Sequence, residues 1–269
     1  MNIILRLIKI FPPEASHKIA LLSLDFLYKT GLLNQFFPKF NNQKIDFFGM
    51  SLSNRLGTAA GLDKDGDYID CLGALGFGFL EVGTVTPLAQ FGNPKPRVFR
   101  IFKEKAVINR LGFNNKGVDY LVKRLKNRKY KGIVGVNIGA NKNSKDQKRI
   151  DDFIECFRKV YKYSDYITVN ISSPNTPGLR DLHDLDNIKN LILNIENEAK
   201  LNNFNRPIFL KISPDESAET IKSIADLINL SNLTGLIISN TTIDKEILHD
   251  KKNIDIDGGL SGAPLMKKS

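Results

Sequence analysis

A stretch of twelve residues, from Val169 to Arg180, concentrates the side chains of this chain that are best suited to chemistry. It contains two Asn, two Ser, one Thr, two Pro and one Gly, and it overlaps an apolar segment, 166–171, that we predict to be a β-strand. Pro and Gly constrain the backbone of a turn, while the amides and hydroxyls offer several hydrogen-bond donors and acceptors at one point. The stretch therefore predicts a site that binds a small polar heteroaromatic ring.

Strands and helices alternate around this stretch and must position it. Apolar runs predict strands at 45–52, 55–60, 77–85, 132–138, 166–171, 207–212 and 235–239. Amphipathic patterns predict helices at 68–75, 118–128, 150–161, 185–200 and 217–230, and a hairpin is expected at 97–108. Short apolar strands that alternate with helices are typical of a parallel sheet, either doubly wound or closed into a (β/α)₈ barrel.

Polar residues at the ends of the predicted strands decide between these two folds. They are Ala60 to Lys64, Gly83 to Thr86, Asn137, Asn170 to Asn175, Lys211, and Ser239 to Thr241. Active sites of (β/α)₈ barrels are built from strand ends and the loops that follow them. The chain also lacks a G-x-G-x-x-G fingerprint and a P-loop, which disfavours a Rossmann fold. We therefore predict an α/β fold of the TIM-barrel type.

Composition narrows the possible partners. Lys and Arg outnumber Asp and Glu by 39 to 29, which gives a net charge of +10. This charge suits a nucleic-acid or anionic-membrane partner, and it equally suits a basic surface that faces only solvent. We favour the basic face and predict no nucleic-acid partner, because the cations are spread along the chain without an RNA-binding or zinc-finger signature. Two isolated Cys suggest a reducing compartment and buried or inert thiols, and three dispersed His form no metal-binding pattern, so no metal site is expected. No apolar run reaches 18 residues, so no transmembrane helix is expected.

The first thirty residues predict two short helices. The first, 1–11, is apolar but interrupted by Arg6 and Lys9 and has no small-residue cleavage site, which argues against a secretory signal. The second begins after Pro12, has a broad apolar face and ends at Gly31. Such helices either lie on a membrane surface or dock on the main domain, and the pattern leaves both possibilities open.

The stretch from Val169 to Arg180 resembles a known family, the dihydroorotate dehydrogenases, and so do six further segments. They are AAGLDKDG (59–66), EVGTVTP (81–87), NRLGFNN (109–115), LKISPD (210–215), SNTT (239–242) and GGLSG (258–262). They occur in family order, and the resemblance extends from about residue 12 to the end of the chain. It implies oxidation of dihydroorotate to orotate with FMN, a step of pyrimidine biosynthesis.

The resemblance is to the quinone-dependent, class 2 members. Ser173 stands where the soluble class carries a Cys base, and the helical extension is typical of the membrane-associated class. This implies a membrane quinone as electron acceptor and a peripheral location on the cytoplasmic side of the inner membrane. It also implies two regions, an extension at 1–40 that admits quinone and an FMN-binding barrel at 41–269.

The resemblance also implies roles for individual residues. Ser173 is the expected general base, with Thr176 as a proton relay, and Lys211 is the expected cation near the flavin edge that gains negative charge. The residues expected to bind FMN are Ala60, Gly61, Leu62, Asp63, Lys64, Thr84, Asn137, Asn170, Lys211, Ser239 and Gly262. Those expected to bind the substrate are Lys64, Asn109, Arg110, Leu111, Gly112, Phe113, Asn170, Asn175, Asn240 and Thr241.

The predicted barrel is incomplete. Six parallel strands are predicted where a closed barrel has eight, and the family continues with two strands whose loops hold the FMN phosphate. We therefore expect a C-terminally truncated dihydroorotate dehydrogenase. The alternatives are an inactive fragment of that enzyme, another flavin-dependent pyrimidine-ring oxidoreductase, which would be expected to carry Cys at position 173, and a degenerate barrel kept as a scaffold.

Overall fold

A computed structural model describes residues 10–36, 44–173, 185–249, 252 and 255–267. Its strands are β1 (Ile45–Phe47), β2 (Met50–Leu52), β3 (Phe79–Val85), β4 (Val98–Ile101), β5 (Ala106–Asn109), β6 (Ile133–Ile138), β7 (Tyr166–Asn170), β8 (Ile208–Lys211), β9 (Gly235–Ile237) and β10 (Gly259–Gly262). Its α-helices are α1 (Pro13–Lys29), α2 (Leu33–Phe36), α3 (Ile69–Gly73), α4 (Val118–Asn127), α5 (Asp146–Val160), α6 (Leu185–Leu201) and α7 (Ala218–Asn229). Short 3₁₀ helices cover Tyr161–Tyr163 and Ala263–Lys267.

A parallel sheet in the order β3-β6-β7-β8-β9 forms the centre of the fold. Consecutive strands are neighbours and are joined through helices α4 to α7, as expected for repeated βαβ units. The predicted α/β fold is therefore confirmed. The predicted strands and helices from residue 118 onward agree with the structure to within a few residues at their ends, and Ser217 caps α7 by accepting a hydrogen bond from the Thr220 N–H.

The two faces of this sheet differ in chemistry. Successive side chains of a strand point to opposite faces, so every second residue shares a face. One face carries Leu80, Val82, Val134, Val136, Ile138, Ile167, Val169, Ile208 and Leu210, which belong to the hydrophobic core that the outer helices cover. The alternate positions carry Glu81, Asn137, Thr168, Asn170 and Lys211, which are also buried. This inner polar face leads toward the carboxyl ends of the strands.

The predicted strand 55–60 is the main difference in the sheet. It contributes one parallel bridge, between Gly57 and Phe79, beside the start of β3. Beyond this bridge the chain bends at Gly61, whose φ is +107° and whose N–H donates to the Gly83 carbonyl (2.8 Å). Among the described residues the parallel sheet thus has five strands and one bridge rather than the six predicted strands.

A second sheet, antiparallel in the order β10-β5-β4, stands beside the carboxyl ends of the parallel strands. The predicted hairpin supplies β4 and β5, which are confirmed. Strand β10 was not predicted, because its sequence, GLSG, has little strand propensity of its own. It forms through pairing with β5 and through the bridge between Thr242 and Leu260.

Helix α1 is docked on the main body along one side. Leu21 is buried in the core, and Glu14 forms an ion pair with Arg97 (2.9 Å). The opposite side is apolar and exposed, with Leu22 49% and Phe26 63% accessible. Among the described residues, no helix is both long and apolar enough to cross a membrane.

The close approach of Gly78, just before β3, to the backbone of Asn54 provides a test of the described chain path. A Cβ at Gly78 would lie 1.9 Å from the Asn54 carbonyl oxygen, whereas a Cβ at Gly235 would meet no atom closer than 4.0 Å. We expect Gly78→Ala to lower the free energy of unfolding by about 3 kcal/mol through overpacking against backbone. The control Gly235→Ala should be neutral or stabilising by up to about 1 kcal/mol. Urea unfolding measures both, and equal effects of the two variants would contradict the described chain path.

Candidate active site

A cavity of about 460 Å³ lies between the carboxyl ends of the parallel strands and the antiparallel sheet. Most of the residues predicted from the sequence line it. These are Ala60, Gly61, Lys64, Thr84, Asn109, Leu111, Gly112, Phe113, Asn170, Ser173, Lys211, Ser239, Asn240 and Thr241. The chain thus brings together residues separated by up to 181 positions, from Ala60 to Thr241, because parallel strands end at the same edge of a sheet.

Asn137 lies just behind the cavity wall rather than in it. Its side chain is fully buried, and its Oδ1 accepts hydrogen bonds from the Thr84 hydroxyl (2.6 Å) and from Asn170 Nδ2 (3.1 Å). Asn170 Nδ2 also donates to Thr84 Oγ1 (3.0 Å). The three side chains come from the ends of β3, β6 and β7, so their mutual hydrogen bonds fix three adjacent strand ends.

The hydrogen-bonded chain continues across the cavity. Asn170 Oδ1 accepts from both the hydroxyl (2.6 Å) and the N–H (3.1 Å) of Ser172. Ser172 Oγ in turn accepts from Asn240 Nδ2 (2.9 Å), and Asn240 Oδ1 accepts from the Thr241 N–H (2.7 Å). These bonds orient two asparagine amides that line the cavity before any ligand binds.

Among the described residues, one hydroxyl in the cavity has no hydrogen-bond partner. Across the described residues, only Arg128 Nη1 and Thr241 Oγ1 are buried side-chain atoms without a hydrogen bond. An unpaired buried hydroxyl is costly, and Thr241 lines the cavity. Thr241 therefore presents a hydrogen-bonding group to a ligand at this position.

Lys64 supplies a positive charge that is poorly solvated. Its Nζ donates to the neutral amide oxygen of Asn114 (2.6 Å). Burial lowers the pKa of Lys64 to about 8, and the positive charge of Arg97 adds to the decrease. An ammonium group with this environment is stabilised by an anion, so the cavity suits a ligand that carries a carboxylate.

Lys211 and Ser173 line the same cavity from neighbouring strands. Lys211 ends β8 and is 7% exposed, and Ser173 follows β7 and is 4% exposed. Asn170 pairs in register with Lys211, which brings the two strand ends side by side. A buried cation and a buried hydroxyl thus border one space from which much of the solvent is excluded.

The loop after β5 shapes the opposite wall. Asn115 holds it by donating to the Phe113 carbonyl (2.7 Å) and the Thr86 hydroxyl (2.8 Å). Gln90 also donates to the Phe113 carbonyl (3.1 Å). These bonds keep Phe113, whose φ is +50°, and its neighbour Gly112 against the cavity.

Leu62 and Asp63, which were predicted to bind FMN, have structural roles instead of lining the cavity. Leu62 packs against the main hydrophobic core. Asp63 is buried and accepts hydrogen bonds from the N–H groups of Asp67 (2.9 Å) and Tyr68 (2.8 Å). Burial raises the pKa of the Asp63 carboxyl to about 6, although these two bonds favour its charged form. Asp63 thus holds the turn that presents Lys64.

Two further predicted residues, Arg110 and Gly262, do not line the cavity. Arg110 donates to the Pro96 carbonyl (3.0 Å) and lies over the Phe99 ring at 5.4 Å. At Gly262, φ is +105° and a Cβ would lie 2.4 Å from the Lys105 carbonyl oxygen, so close packing of β10 on the β4–β5 turn requires glycine there. The remaining predicted residues, Asn175 for the substrate and Thr176 as the proton relay of Ser173, lie outside the described part of the chain.

Sequence reasoning assigned no role to Glu81 or Ser172. Ser172 belongs to the hydrogen-bonded chain described above, and Glu81 extends it by accepting from Asn137 Nδ2 (2.9 Å). The signal for Glu81 was available, because a Glu within the apolar run 79–85 is unusual for a buried strand. Ser172 had no signal that distinguished it from its neighbour. The cavity also includes Val98 and Val107 from the predicted hairpin, and Ser261 and Leu265, whose positions depend on the unpredicted pairing of β10.

Comparison with known proteins identifies what this chain is similar to. A family model described as dihydroorotate dehydrogenase matches residues 43–269. A relative from Saccharophagus degradans, named dihydroorotate dehydrogenase (quinone), is 48% identical over 260 residues, which are 95% of this chain and 77% of the relative. A relative of the same name from Marinobacter nauticus is 46% identical over 272 residues, covering 100% of this chain and 79% of the relative.

Solved structures give the same result for the fold. The crystal structure of the Eimeria tenella DHODH in complex with ferulenol has a TM-score of 0.83 at 34% identity, covering 94% of this chain and 73% of that chain. The ligand-free form of that protein has a TM-score of 0.82 at 34% identity, covering 93% of this chain and 76% of that chain. The similarity therefore includes the arrangement of the strands as well as the sequence.

The environment of Lys64 leads to a direct prediction. In the protein without ligand, the Lys64 ammonium should lose its proton with a midpoint near pH 8, so the cavity carries this positive charge below pH 8 and loses it above. Lys116 is an internal contrast: burial opposes its charge, but hydrogen bonds to Asp67 and Tyr120 raise the pKa of Lys116. Lysine ¹³Cε NMR titration measures both, with Lys64→Arg identifying the signal. A Lys64 midpoint near the ordinary value of about 10.4 would contradict the prediction.

Proposed function

This chain belongs to the dihydroorotate dehydrogenase family, and we propose that it oxidises dihydroorotate to orotate with FMN and passes the electrons to a quinone. The reaction would be a step of pyrimidine biosynthesis. The observation that carries the proposal is the single cavity that gathers Lys64, Asn170, Ser173, Lys211 and Asn240. Cations, amides and a hydroxyl converge there, as an anionic ring with adjacent N–H and C=O groups requires.

The cavity also has features that fit a flavin. A Cβ at Gly61 would meet no atom within 4 Å, so the backbone at Gly61 is open to a planar ligand. The unpaired Thr241 hydroxyl offers a polar contact, and Lys211 offers a buried cation. We propose that FMN is held by Ala60, Gly61, Lys64, Thr84, Asn170, Lys211 and Ser239, with Asn137 supporting them from behind. When bound, FMN supplies the acceptor for a hydride.

Binding of the substrate follows from the charge and the amides. The Lys64 ammonium would pair with the carboxylate of dihydroorotate, which offsets the cost of burying the cation. Asn109 and Asn240 would orient the ring through the donors and acceptors of their amides. Asn170, whose amide is already paired with Thr84, Asn137 and Ser172, would contact the ring beside them. Because Asn170 and Asn240 are already tied to Ser172, little ordering of these side chains would accompany binding.

Removal of a proton is the role proposed for Ser173. Dihydroorotate must lose one proton and one hydride from adjacent ring carbons to form the C=C bond of orotate. Ser173 would take the proton while the hydride leaves from the neighbouring carbon, and a Ser hydroxyl can do this only with well-defined geometry and a route for the proton. Its burial at the cavity supports this role, because water is largely excluded around it.

The proposed quinone partner relates to helix α1. Its exposed side carries Ile19, Leu22 and Phe26, and its other side is anchored by Leu21 and by the Glu14–Arg97 ion pair. An amphipathic helix fixed in this way can rest on a membrane surface without crossing it. We propose that residues 1–40 form the extension that admits quinone, on the cytoplasmic side of the inner membrane, and that residues 41–269 form the FMN-binding unit.

The function can be tested on the chain of 269 residues, reconstituted with FMN. Dihydroorotate added without oxygen should bleach the flavin absorbance, and a soluble quinone analogue should restore it. Bleaching by dihydrouracil but not by dihydroorotate would instead indicate a different pyrimidine-ring oxidoreductase. Failure of the protein to retain FMN would contradict the proposal.

A serine pair in the cavity tests the proposed base. Ser173→Ala should slow flavin bleaching by dihydroorotate about 10²–10⁴-fold, because the proton acceptor is lost. Orotate affinity should change little, since the hydroxyl is proposed to act on the reacting proton rather than on binding. The control is Ser261→Ala, which removes a hydroxyl from the same cavity that is bonded to the Val107 carbonyl (3.2 Å). Similar rates for the two variants would refute the assignment.

The exposed face of α1 gives a separate prediction. Replacing Leu22 and Phe26 together by Glu should weaken binding to anionic liposomes at least tenfold, because two apolar side chains are lost from the face and two negative charges are added. The control replaces Leu201 and Leu230 by Glu, since these are also exposed (76% and 88%) but lie on α6 and just after α7. Liposome co-sedimentation measures both. Equal losses would show that this face is not the membrane contact.

A further inference from the structure

Glu81 is a buried carboxylate in the middle of β3 that the proposed reaction does not use. It is 6% exposed. One oxygen accepts from Asn137 Nδ2 (2.9 Å), and the other accepts from the hydroxyls of Tyr166 (3.0 Å) and Thr168 (3.0 Å). Burial of a carboxylate is costly, and here three donors from two neighbouring strands compensate for it.

The strands are built to allow this contact. Glu81 pairs in register with Gly135, and Gly135 pairs with Tyr166. A Cβ at Gly135 would lie 2.0 Å from the Tyr166 ring, so the absent side chain leaves the space through which that ring reaches Glu81. Burial and the charge of Glu81 raise the pKa of Tyr166 well above its ordinary value, which keeps the Tyr166 hydroxyl a donor.

A carboxylate only accepts hydrogen bonds, and this fixes the neighbouring amide. Because Glu81 requires a donor, Asn137 must turn its Nδ2 toward Glu81 and its Oδ1 toward Thr84 and Asn170. The Thr84 proton is then used on Asn137, so Thr84 Oγ1 accepts from Asn170. The amide of Asn170 is therefore held with Nδ2 toward Asn137, which is also the direction that the Ser172 N–H favours by donating to Asn170 Oδ1.

The same reasoning extends to the far side of the cavity. Asn170 Oδ1 faces Ser172 and takes the proton of its hydroxyl, which leaves Ser172 Oγ to accept from Asn240. Asn240 must then turn its Nδ2 toward Ser172, and the Thr241 N–H favours the same direction because it donates to Asn240 Oδ1. A series of five side chains thus connects Glu81 to the amide that lines the opposite wall.

We propose that Glu81 is a positioning residue that acts through Asn137, together with the backbone N–H groups of Ser172 and Thr241, to hold the amides of Asn170 and Asn240 in one direction. Because the Asn170 amide is fully paired within the protein, the effect of Glu81 on a bound ring would be exerted through the donor and acceptor that Asn240 presents to the cavity. This inference rests on the proposed function only for the identity of the ring. The directions of the hydrogen bonds are a property of the protein without ligand.

Three variants separate positioning from general stability. Glu81→Ala removes the acceptor. Glu81→Gln can still turn its Oε1 to Asn137, because the hydroxyls of Tyr166 and Thr168 can rotate to accept from its amide. Tyr166→Phe is the matched control: it removes a donor to the same carboxylate and keeps the ring packing on Phe79 and Phe209, but leaves the Glu81–Asn137 bond.

The first measurement needs no ligand and follows the side-chain amides by ¹⁵N-asparagine NMR. In Glu81→Ala, the side-chain signals of Asn170 and Asn240 should shift or broaden, whereas Glu81→Gln and Tyr166→Phe should keep them near their wild-type positions. Thermal unfolding monitors stability, and Tyr166→Phe is expected to lower it. Unchanged Asn240 signals in Glu81→Ala would overturn the proposal, as would equal shifts in Tyr166→Phe.

The second measurement is orotate affinity of the FMN-loaded protein. Glu81→Ala should weaken binding about tenfold or more, the effect of losing one well-oriented hydrogen bond, while Glu81→Gln should stay within about threefold of wild type. If Glu81→Gln loses as much as Glu81→Ala, the charge rather than the orientation matters, and the proposal fails. If the wild type binds no orotate but Glu81→Ala still shifts or broadens the Asn170 and Asn240 signals, the proposed function fails and the role of Glu81 stands.

Discussion

Asn137 lies near the end of β6 in the parallel sheet, where its side chain has no contact with solvent and both of its polar atoms are paired. An unpaired amide at this depth would cost several kcal/mol, on the order of the desolvation penalty for a buried polar group. The requirement for partners therefore constrains every strand around it. Glu81 must accept on one side, and Thr84 and Asn170 must donate on the other. The ends of three strands are held together by this one requirement, and the cavity is formed where they end.

The register of the sheet makes these contacts possible. Gly83 pairs with Asn137, Asn137 with Thr168, and Asn170 with Lys211, so the polar side chains of the inner face are adjacent. A shift of one residue would turn these groups toward the outer helices and bring apolar side chains inward. The large buried core against the helices, which includes Phe153 and Phe157, opposes such a shift. The hydrophobic packing on the outer face thus supports the polar geometry on the inner face.

Much of this arrangement could be predicted from the sequence, because it depends on local patterns. Alternation of strands and helices located Lys64, Asn170 and Lys211 at strand ends, and parallel strand ends meet at one edge. The direction of a side chain was harder to predict, as Arg110 shows, since its outward course depends on the Pro96 carbonyl in another segment. Strand β10 could not be predicted either, because its glycine-rich sequence becomes a strand only through pairing with β5.

The antiparallel sheet has a consequence for the order in which the chain assembles. The bond from the Ser261 hydroxyl to the Val107 carbonyl spans 154 positions, and the Thr242–Leu260 bridge closes the same region. During synthesis on the ribosome, β3 to β9 emerge before β10, so the parallel strands and the β4–β5 hairpin are translated before the strand that pairs with β5. Ser261 and Leu265 are therefore the last residues of the described cavity lining to be synthesised. A nascent chain can complete this lining only after β10 has left the ribosome and paired with β5.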